Sequence, residues 1–528
     1  MESARDSRSL AVRRVLPPLL IAAATSGCLD VRRDPEPVAF APWHPELFAG
    51  GGALTDAWAD VDGDGDPDRF VGFDGAPARL YRNDLLDGFV DVAPGLGLAV
   101  ERSVRSAAWG DFDRDGDPDL LLGFAGEAPV TALYRNDGPD GFTEVAASMG
   151  LELAAGTTRQ ASWIDFDEDG DLDLFLAMRD GPNRLFENRM GAPAGTDPET
   201  EGVAFADITA SSGIGDERRS VGALWFDVGD GRLDLLVANM DGDANSLLAQ
   251  GPNGFAEWPG ASALQDGGRG LGDDARGSVR PCVADFDVDG DLDVFFANYG
   301  PNALFERTDD PGTPFQNVAP ERGLAIDSRY DTCAWADFDH DGLPDLYVNG
   351  TVGGGVHYRD WLFRREGGEA FVDVTSDELL ALNASHGATW VDFDLDGDLD
   401  LALAGAAEDG THLLMQNLLR PEFASHSLQV RVLDGEGYAT RPGAEVRVYA
   451  AGTDMLLGTG LVDSGSGYDG QSDLPVHFGL PGAQPVDVVV TILAGGARVE
   501  GAVRDVDPNA FRGGYLTLRI DDEGRIAR

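Results

Sequence analysis

Six stretches of this chain carry acids at the odd positions of a nine-residue run, with glycine at the sixth. They are Asp60, Asp62, Asp64, Asp66 and Asp68; Asp111, Asp113, Asp115, Asp117 and Asp119; and Asp165, Asp167, Asp169, Asp171 and Asp173. The others are Asp285, Asp287, Asp289, Asp291 and Asp293; Asp337, Asp339, Asp341 and Asp345, with Leu343 at position 7; and Asp392, Asp394, Asp396, Asp398 and Asp400. Carboxylates this dense repel one another unless a cation sits among them, and a flexible all-oxygen shell suits Ca²⁺ best. The spacing follows the first half of an EF-hand loop, but the closing acid stands at position 9 rather than 12. Positions 1, 3, 5 and 9 are read as side-chain ligands and position 7 as a backbone carbonyl, so Leu343 qualifies. One such run could be a solvated acidic turn; six at regular spacing argue for metal. A seventh copy, Asp227–Asp234, is one residue short and lacks the position-3 acid, so little or no Ca²⁺ is expected there. Five or six ions are expected in all.

The elements that hold these runs repeat with them. Successive runs begin 51, 54, 62, 58, 52 and 55 residues apart, and periods near 50 mean propellers or solenoids. Each unit has four short apolar runs. The first ends in an aromatic two residues before the acidic loop (Trp58, Trp109, Trp163, Trp225, Trp335, Trp390; Val283 is the exception), and the second follows the loop, as in Leu174-Phe175-Leu176. The third reads Leu80-Tyr81-Arg82-Asn83 and the fourth Gly88-Phe89-Val90-Asp91-Val92, with echoes in later units. Four short strands per period describe a propeller blade. The last unit lacks its Phe strand, and a spare one stands at Val38-Ala39-Phe40. That strand is predicted to complete the last blade and remove an open edge. The expected fold is all-β: a seven-bladed β-propeller over 38–420, then a small β-sandwich-like domain over 426–522. By strand alternation the acidic loops share a face with the three–four loops. Two insertions, Ala256–Pro281 (Arg269, Asp273, Asp274, Arg276) and Gly350–Trp361 (His357, Tyr358, Arg359), fall on the other. They are read either as binding loops or as neutral loop drift.

The chain has 528 residues and a formal charge of −54, of which six divalent ions would neutralise only twelve. That acidity argues against nucleic acid and anionic lipid as partners. All 39 basic residues are Arg, which excludes Schiff-base chemistry and a phosphate-loop lysine. Residues 1–28 combine four Arg, the apolar run Val15–Ala24 and Ser26-Gly27-Cys28, the pattern of a signal peptide. Ser-Gly-Cys resembles a bacterial lipobox, so Cys28 is the candidate lipidation site and 29–37 a tether. The protein is expected to be exported, as an outer-membrane or surface lipoprotein or otherwise periplasmic or secreted, touching membrane only through that anchor, and monomeric. Cys282 and Cys333 precede neighbouring acidic loops and are either one inter-blade disulfide or two buried thiols.

The Asp loops with Phe and Leu-Tyr-Arg-Asn strands resemble the integrin α-type FG-GAP/VCBS propeller repeats. Downstream, Arg441-Pro442-Gly443-Ala444, Ser464-Gly465-Ser466-Gly467-Tyr468 and Val476-His477-Phe478-Gly479-Leu480 resemble the ASPIC/UnbV domain that follows such repeats in the cartilage acidic protein family. Ile492-Leu493-Ala494-Gly495-Gly496 stands where that family has a Trp-Pro-Ser-Gly turn. The resemblance implies an architecture and a metal, and propellers host unrelated functions. The seven His are scattered, and neither a His-Glu-x-x-His nor a Gly-x-Ser-x-Gly motif occurs. His340, at position 4 of a loop, is expected to face solvent, and His477 to be a packed strand residue. The reading is a binding, adhesion or scaffold module for protein or glycan ligands. An enzyme acting on carbohydrate or modified peptide through the propeller funnel is the alternative, and a passive envelope protein a third.

Overall fold

The computed structural model describes residues 39–528, apart from internal stretches of which the longer are 191–203, 259–263, 265–275, 381–384, 406–410, 464–469 and 471–473. The signal-like segment, Cys28, the tether and most of the 256–281 insertion lie outside the described residues.

Seven four-strand antiparallel units follow one another, the fifth and sixth joined into one eight-stranded sheet where Asp293–Pro301 pairs with Asp327–Ala336. The third is representative: Thr158–Ile164 is innermost, then Asp173–Met178, Arg184–Asn188 and Phe205–Asp207. The first two strands are buried along their whole length, apart from Arg159. Their apolar runs do not alternate because each sheet is covered on both faces by its neighbours. Each inner strand packs on the inner strand of the next sheet, and Ala53–Ala59 packs on Ser385–Val391, so the ring closes. The seventh sheet takes its outermost strand from the N-terminal side: Phe40–Trp43 pairs with Leu414–Asn417. Aromatics fill the seams, as where Phe112 stacks on Trp163 and Phe338 on Trp390, with centroids 6.3 and 6.1 Å apart. Cys282 and Cys333, on the inner strands of sheets five and six, form a disulfide with Cα atoms 6.1 Å apart. Among the described residues, no helix is long and apolar enough to cross a membrane.

Residues 427–527 form two further four-stranded sheets. Ser427–Leu433 pairs antiparallel with Val476–Gly479 and parallel with Leu516–Ile520, while Glu445–Ala450 lies between Leu456–Leu461 and Val486–Ala494. One apolar core with Val430, Val446, Val488 and Leu518 joins them, which makes a small sandwich.

Candidate metal centres

Each complete acidic loop is wound by its own carboxylates. In every complete loop but the first, the position-1 acid accepts the N–H of position 5 on one oxygen and that of the position-6 glycine on the other, at 3.0 and 3.1 Å for Asp165; in the first, Asp60 takes only the glycine of these two. The position-5 acid accepts the N–H of position 7, as Asp169 does from Asp171 at 3.2 Å. The position-9 acid accepts the N–H of the last residue of the third strand, and in the first, second, third and fifth loops also that of position 2: Asp173 takes Phe166 at 3.2 Å and Asn188 at 2.8 Å. Glycine is needed at position 6, where φ runs from 85° to 101° in the first, second, third, fifth and sixth loops and is 105° in the last. Position 4 is left-handed as well, at Gly63, Arg114, Glu168, Val288, His340 and Leu395.

This winding turns carboxylate oxygens inward. Ligand atoms within 4.8 Å of one another come from Asp60, Asp62 and Asp68; from Asp111, Asp113 and Asp115; from Asp165, Asp167 and Asp173; and from Asp285, Asp287 and Asp289. Positions 1, 3, 5 and 9 are thus the ones that converge. Buried oxygens with no hydrogen-bond partner include Asp60 Oδ1, Asp113 Oδ1, Asp287 Oδ1 and Asp394 Oδ1, and at position 7 Asp66 Oδ1, Asp171 Oδ1 and Asp398 Oδ1. Leu343, at the same position, is fully buried. Burial pushes the position-9 carboxyls far up, to about 8 for Asp68, 9 for Asp119 and Asp293, and 10 for Asp173. Asp337, Asp345, Asp392 and Asp400 are raised well above the usual range by the same cause. So many buried, inward oxygens fit a hard divalent cation held by carboxylates.

The last residue of the third strand does more than close the loop. Its side chain crosses to the preceding blade and donates to the position-2 carbonyl there: Asn83 to Phe393 at 2.7 Å, Asn136 to Val61 at 3.0 Å, Asn188 to Phe112 at 3.0 Å and Asn417 to Phe338 at 2.8 Å. In the remaining blades Gln250, Arg307 and Arg365 make the same crossing, to Phe166, Val228 and Phe286. One polar link per blade therefore circles the ring beside the acidic loops. The sequence shows the Asn of the Leu-Tyr-Arg-Asn strand, but not its reach.

The fourth loop is different. Asp227, Asp230 and Asp234 also converge, yet Asp227 Oδ1 is taken by the N–H groups of Gly229, Asp230 and Gly231. Its Oδ2 accepts from Arg498 Nη1 at 3.0 Å, and that guanidinium also pairs with Glu445.

Arg498 belongs to the C-terminal sandwich, which sits on the whole acidic face. Arg441 lies 3.7 Å from Asp165, Gln429 donates to Asp392 at 2.6 Å, and Arg447 donates to the Gly290 carbonyl at 2.9 Å. Arg114 reaches from the second loop to Asp434 and Glu436, both at 3.1 Å. His477 meets the Gly397 carbonyl at 3.0 Å, and burial lowers its pKa to about 4. It is the packed residue expected. His340 is not the solvent-facing residue expected: it is 1% exposed, holds the Phe423 carbonyl at 3.0 Å and lies tilted against His477, ring centroids 5.2 Å apart. Position 4 faces outward from an isolated loop, but here a second domain lies on it. Gly470 is buried against the inner strand of the first sheet, where a Cβ would come 2.1 Å from the Asp56 carbonyl oxygen. Leu461, Leu474 and Val476 line a cavity of about 230 Å³ with Arg280, Ala388 and Thr389 of the inner strands. The sandwich thus reaches into the axial channel from the acidic side.

Residues 60–122 and 285–348 match the FG-GAP-like repeat, each match starting on a position-1 aspartate and ending in the second strand of the following unit. Human cartilage acidic protein 1 is 25% identical over 478 residues, 82% of this chain and 68% of that protein. The chain carries FG-GAP-like repeats and is similar to cartilage acidic protein 1 over 82% of its length. The frog relative from Xenopus tropicalis is 30% identical over 187 residues, 34% of this chain and 28% of that one. Among solved structures, this chain is similar to BBS1N in complex with ARL6DN, with a TM-score of 0.43, 9% identity and coverage of 73% of this chain and 98% of that one. It is also similar to an Agrocybe aegerita lectin that recognises terminal N-acetylglucosamine, with a TM-score of 0.38, 16% identity and coverage of 73% and 94%.

Proposed function

We propose that this protein is an exported, calcium-binding propeller that serves as a binding or scaffold module for protein or glycan ligands at the cell surface. The observation that carries the reading is the division of its faces. The acidic loops, with their inward orphan oxygens, lie beneath the C-terminal sandwich, so ions there would clamp loops and interface rather than meet a substrate. Ligands are left the opposite face, which carries the Val352–Gly353 and Val356–His357 hairpin of the 350–361 insertion. The inter-blade disulfide is consistent with export, and the resemblance of Ser26-Gly27-Cys28 to a lipobox supports an anchor at Cys28. The loop carboxylates are committed to winding the backbone, which favours binding over catalysis.

Calorimetric unfolding of residues 29–528 in EDTA and then in added Ca²⁺, with metal counting, tests this. A large rise in Tm with five or six bound ions is expected. No rise, or one or two tightly held ions of another metal, would contradict the clamp and turn attention to an open metal site.

A further inference from the structure

All seven inner strands break register at the same point near their starts, between Ala53 and Thr55, Val104 and Ser106, Thr158 and Gln160, Ser220 and Gly222, Ser278 and Arg280, Tyr330 and Thr332, and Ser385 and Gly387. A bulge re-aims the extra residue. Here the extra residues are Leu54, Arg105, Arg159, Val221, Val279, Asp331 and His386, one per blade, at the end of the axis away from the acidic loops. Arg159 stands six residues before Asp165, about 20 Å along the strand. The seven converge on the axis. Arg105 Nη1 of the second blade lies 3.5 Å from His386 Nε2 of the seventh, across the first. Arg159, Val221, Val279 and Asp331, from four successive blades, line one recess of about 240 Å³ together with Arg179, Met240, Asp241, Tyr299 and Arg329.

The chemistry of this recess is unlike the rest of so acidic a chain. Its two acids are already engaged. Asp241 pairs with Arg179 at 2.5 Å, while Asp331 holds His386 at 2.8 Å and the Tyr299 hydroxyl at 2.8 Å. One of its cations is not. Arg329 has no carboxylate partner among the described residues, and its guanidinium lies over the Tyr299 ring at 5.3 Å. Arg105 does not line the recess but stands beside it through His386, which Asp331 holds, and Arg105 Nε is buried without a hydrogen bond. Val221, Met240 and Val279 make an apolar floor with Tyr299 packed on it. With three Arg against two Asp in its lining and Arg105 beside it, the mouth attracts an anion, and guanidinium forks match a carboxylate in geometry. The two acids disfavour a dianion such as phosphate, but they accept hydroxyls. The recess is below the roughly 300–1,000 Å³ of drug-sized sites, which sets the occupant at about one sugar ring.

We propose that this bulge-built mouth binds a uronic-acid residue, its carboxylate on Arg105 and Arg329, its C–H face on Tyr299 and the Val221–Val279 floor, and its hydroxyls toward Asp241 and Asp331. The proposal rests on the reading of the open face as the binding face and gives that face a ligand class. An acidic peptide would bring further carboxylates against Asp241 and Asp331, so the sugar is favoured.

The test is a ¹³C-methyl NMR titration of the calcium-loaded chain from residue 29, following the Met240 methyl, assigned with Met240→Leu. D-Glucuronate is expected to shift that methyl saturably, while D-glucose leaves it in place and inorganic phosphate binds at least about tenfold more weakly. Arg105→Gln and Arg329→Gln should each weaken glucuronate about tenfold, the scale of one hydrogen bond to a charged group. No saturable shift in the native chain, equal response to glucose or phosphate, tighter binding of a glutamate peptide, or affinities within twofold in both variants would each overturn the proposal. Metal counting on the same samples keeps its failure separate from that of the calcium reading.

Discussion

The third and fourth acidic loops begin on aspartates of the same role, and they balance them differently. In the third, Asp165, Asp167 and Asp173 bring carboxylate oxygens together around a space that suits a cation. In the fourth, one residue shorter, Asp227 is met by Arg498 of the sandwich. The comparison shows two ways to meet the buried loop acids: carboxylate oxygens gathered where a cation would fit, and a guanidinium from the sandwich. It also shows why the shortened copy persists in a working ring: its inter-blade link, from Arg307 to the Val228 carbonyl, does not depend on metal.

The largest expected effect comes from removing the ions. At a free concentration of about 100 times Kd, one site stabilises by roughly 2.7 kcal/mol, so chelation should cost several kcal/mol and lower Tm steeply in a scanning experiment. The chelated chain should also respond to pH. Its position-9 carboxyls, from about 8 for Asp68 to about 10 for Asp173, lie above their unfolded value near 3.9. Their contribution is complete below that unfolded value and is lost as pH rises through the folded one. Tm in EDTA is therefore expected to fall between about pH 4 and pH 10. With Ca²⁺ the trend reverses on the acid side, where protons displace the ion.

Single substitutions separate the two kinds of loop. Asp285→Ala should cost about 2–3 kcal/mol in Ca²⁺ and much less in EDTA, because its main loss is a bound ion. Gly470→Val should weaken the seating of the sandwich by about 1–3 kcal/mol through overpacking, read as faster proteolytic release of the C-terminal domain. Arg498→Ala should cost about 1–2 kcal/mol, since Asp227 is buried but the arginine side chain is 31% exposed. That cost should be the same with and without Ca²⁺. Val288→Gly is the smallest effect. It relieves a β-branched residue at φ 61° and should gain about 0.5–1 kcal/mol after the extra unfolded-state entropy of glycine.

The sequence carries the repeat openly because Asp spacing and strand period are local. The four-strand unit, a closing N-terminal strand at Phe40 (read over Val38–Phe40, observed over Phe40–Trp43) and the convergence of positions 1, 3, 5 and 9 all follow from it. What it hides depends on other parts of the chain. The burial of His340 comes from Phe423 and His477, residues more than 80 positions away. Arg498 shows no relation to Asp227 until the sandwich is docked. The bulges leave no mark on composition, so the ring from Leu54 to His386 reads as ordinary strand. The one-turn helices after the fourth strands, such as Ala93–Leu96 closed by Gly97 at φ 86°, are too short to show a period.

The most direct test of the account is hydrogen exchange of the full chain with Ca²⁺ and with EDTA, resolved by peptide. The account predicts that chelation exposes the six complete loops together with the sandwich segments seated on them, around Gln429, Arg441 and Arg447, while the amides of Gly229, Asp230 and Gly231 keep their protection. Uniform loss that includes the fourth loop, or no change at the sandwich, would contradict it.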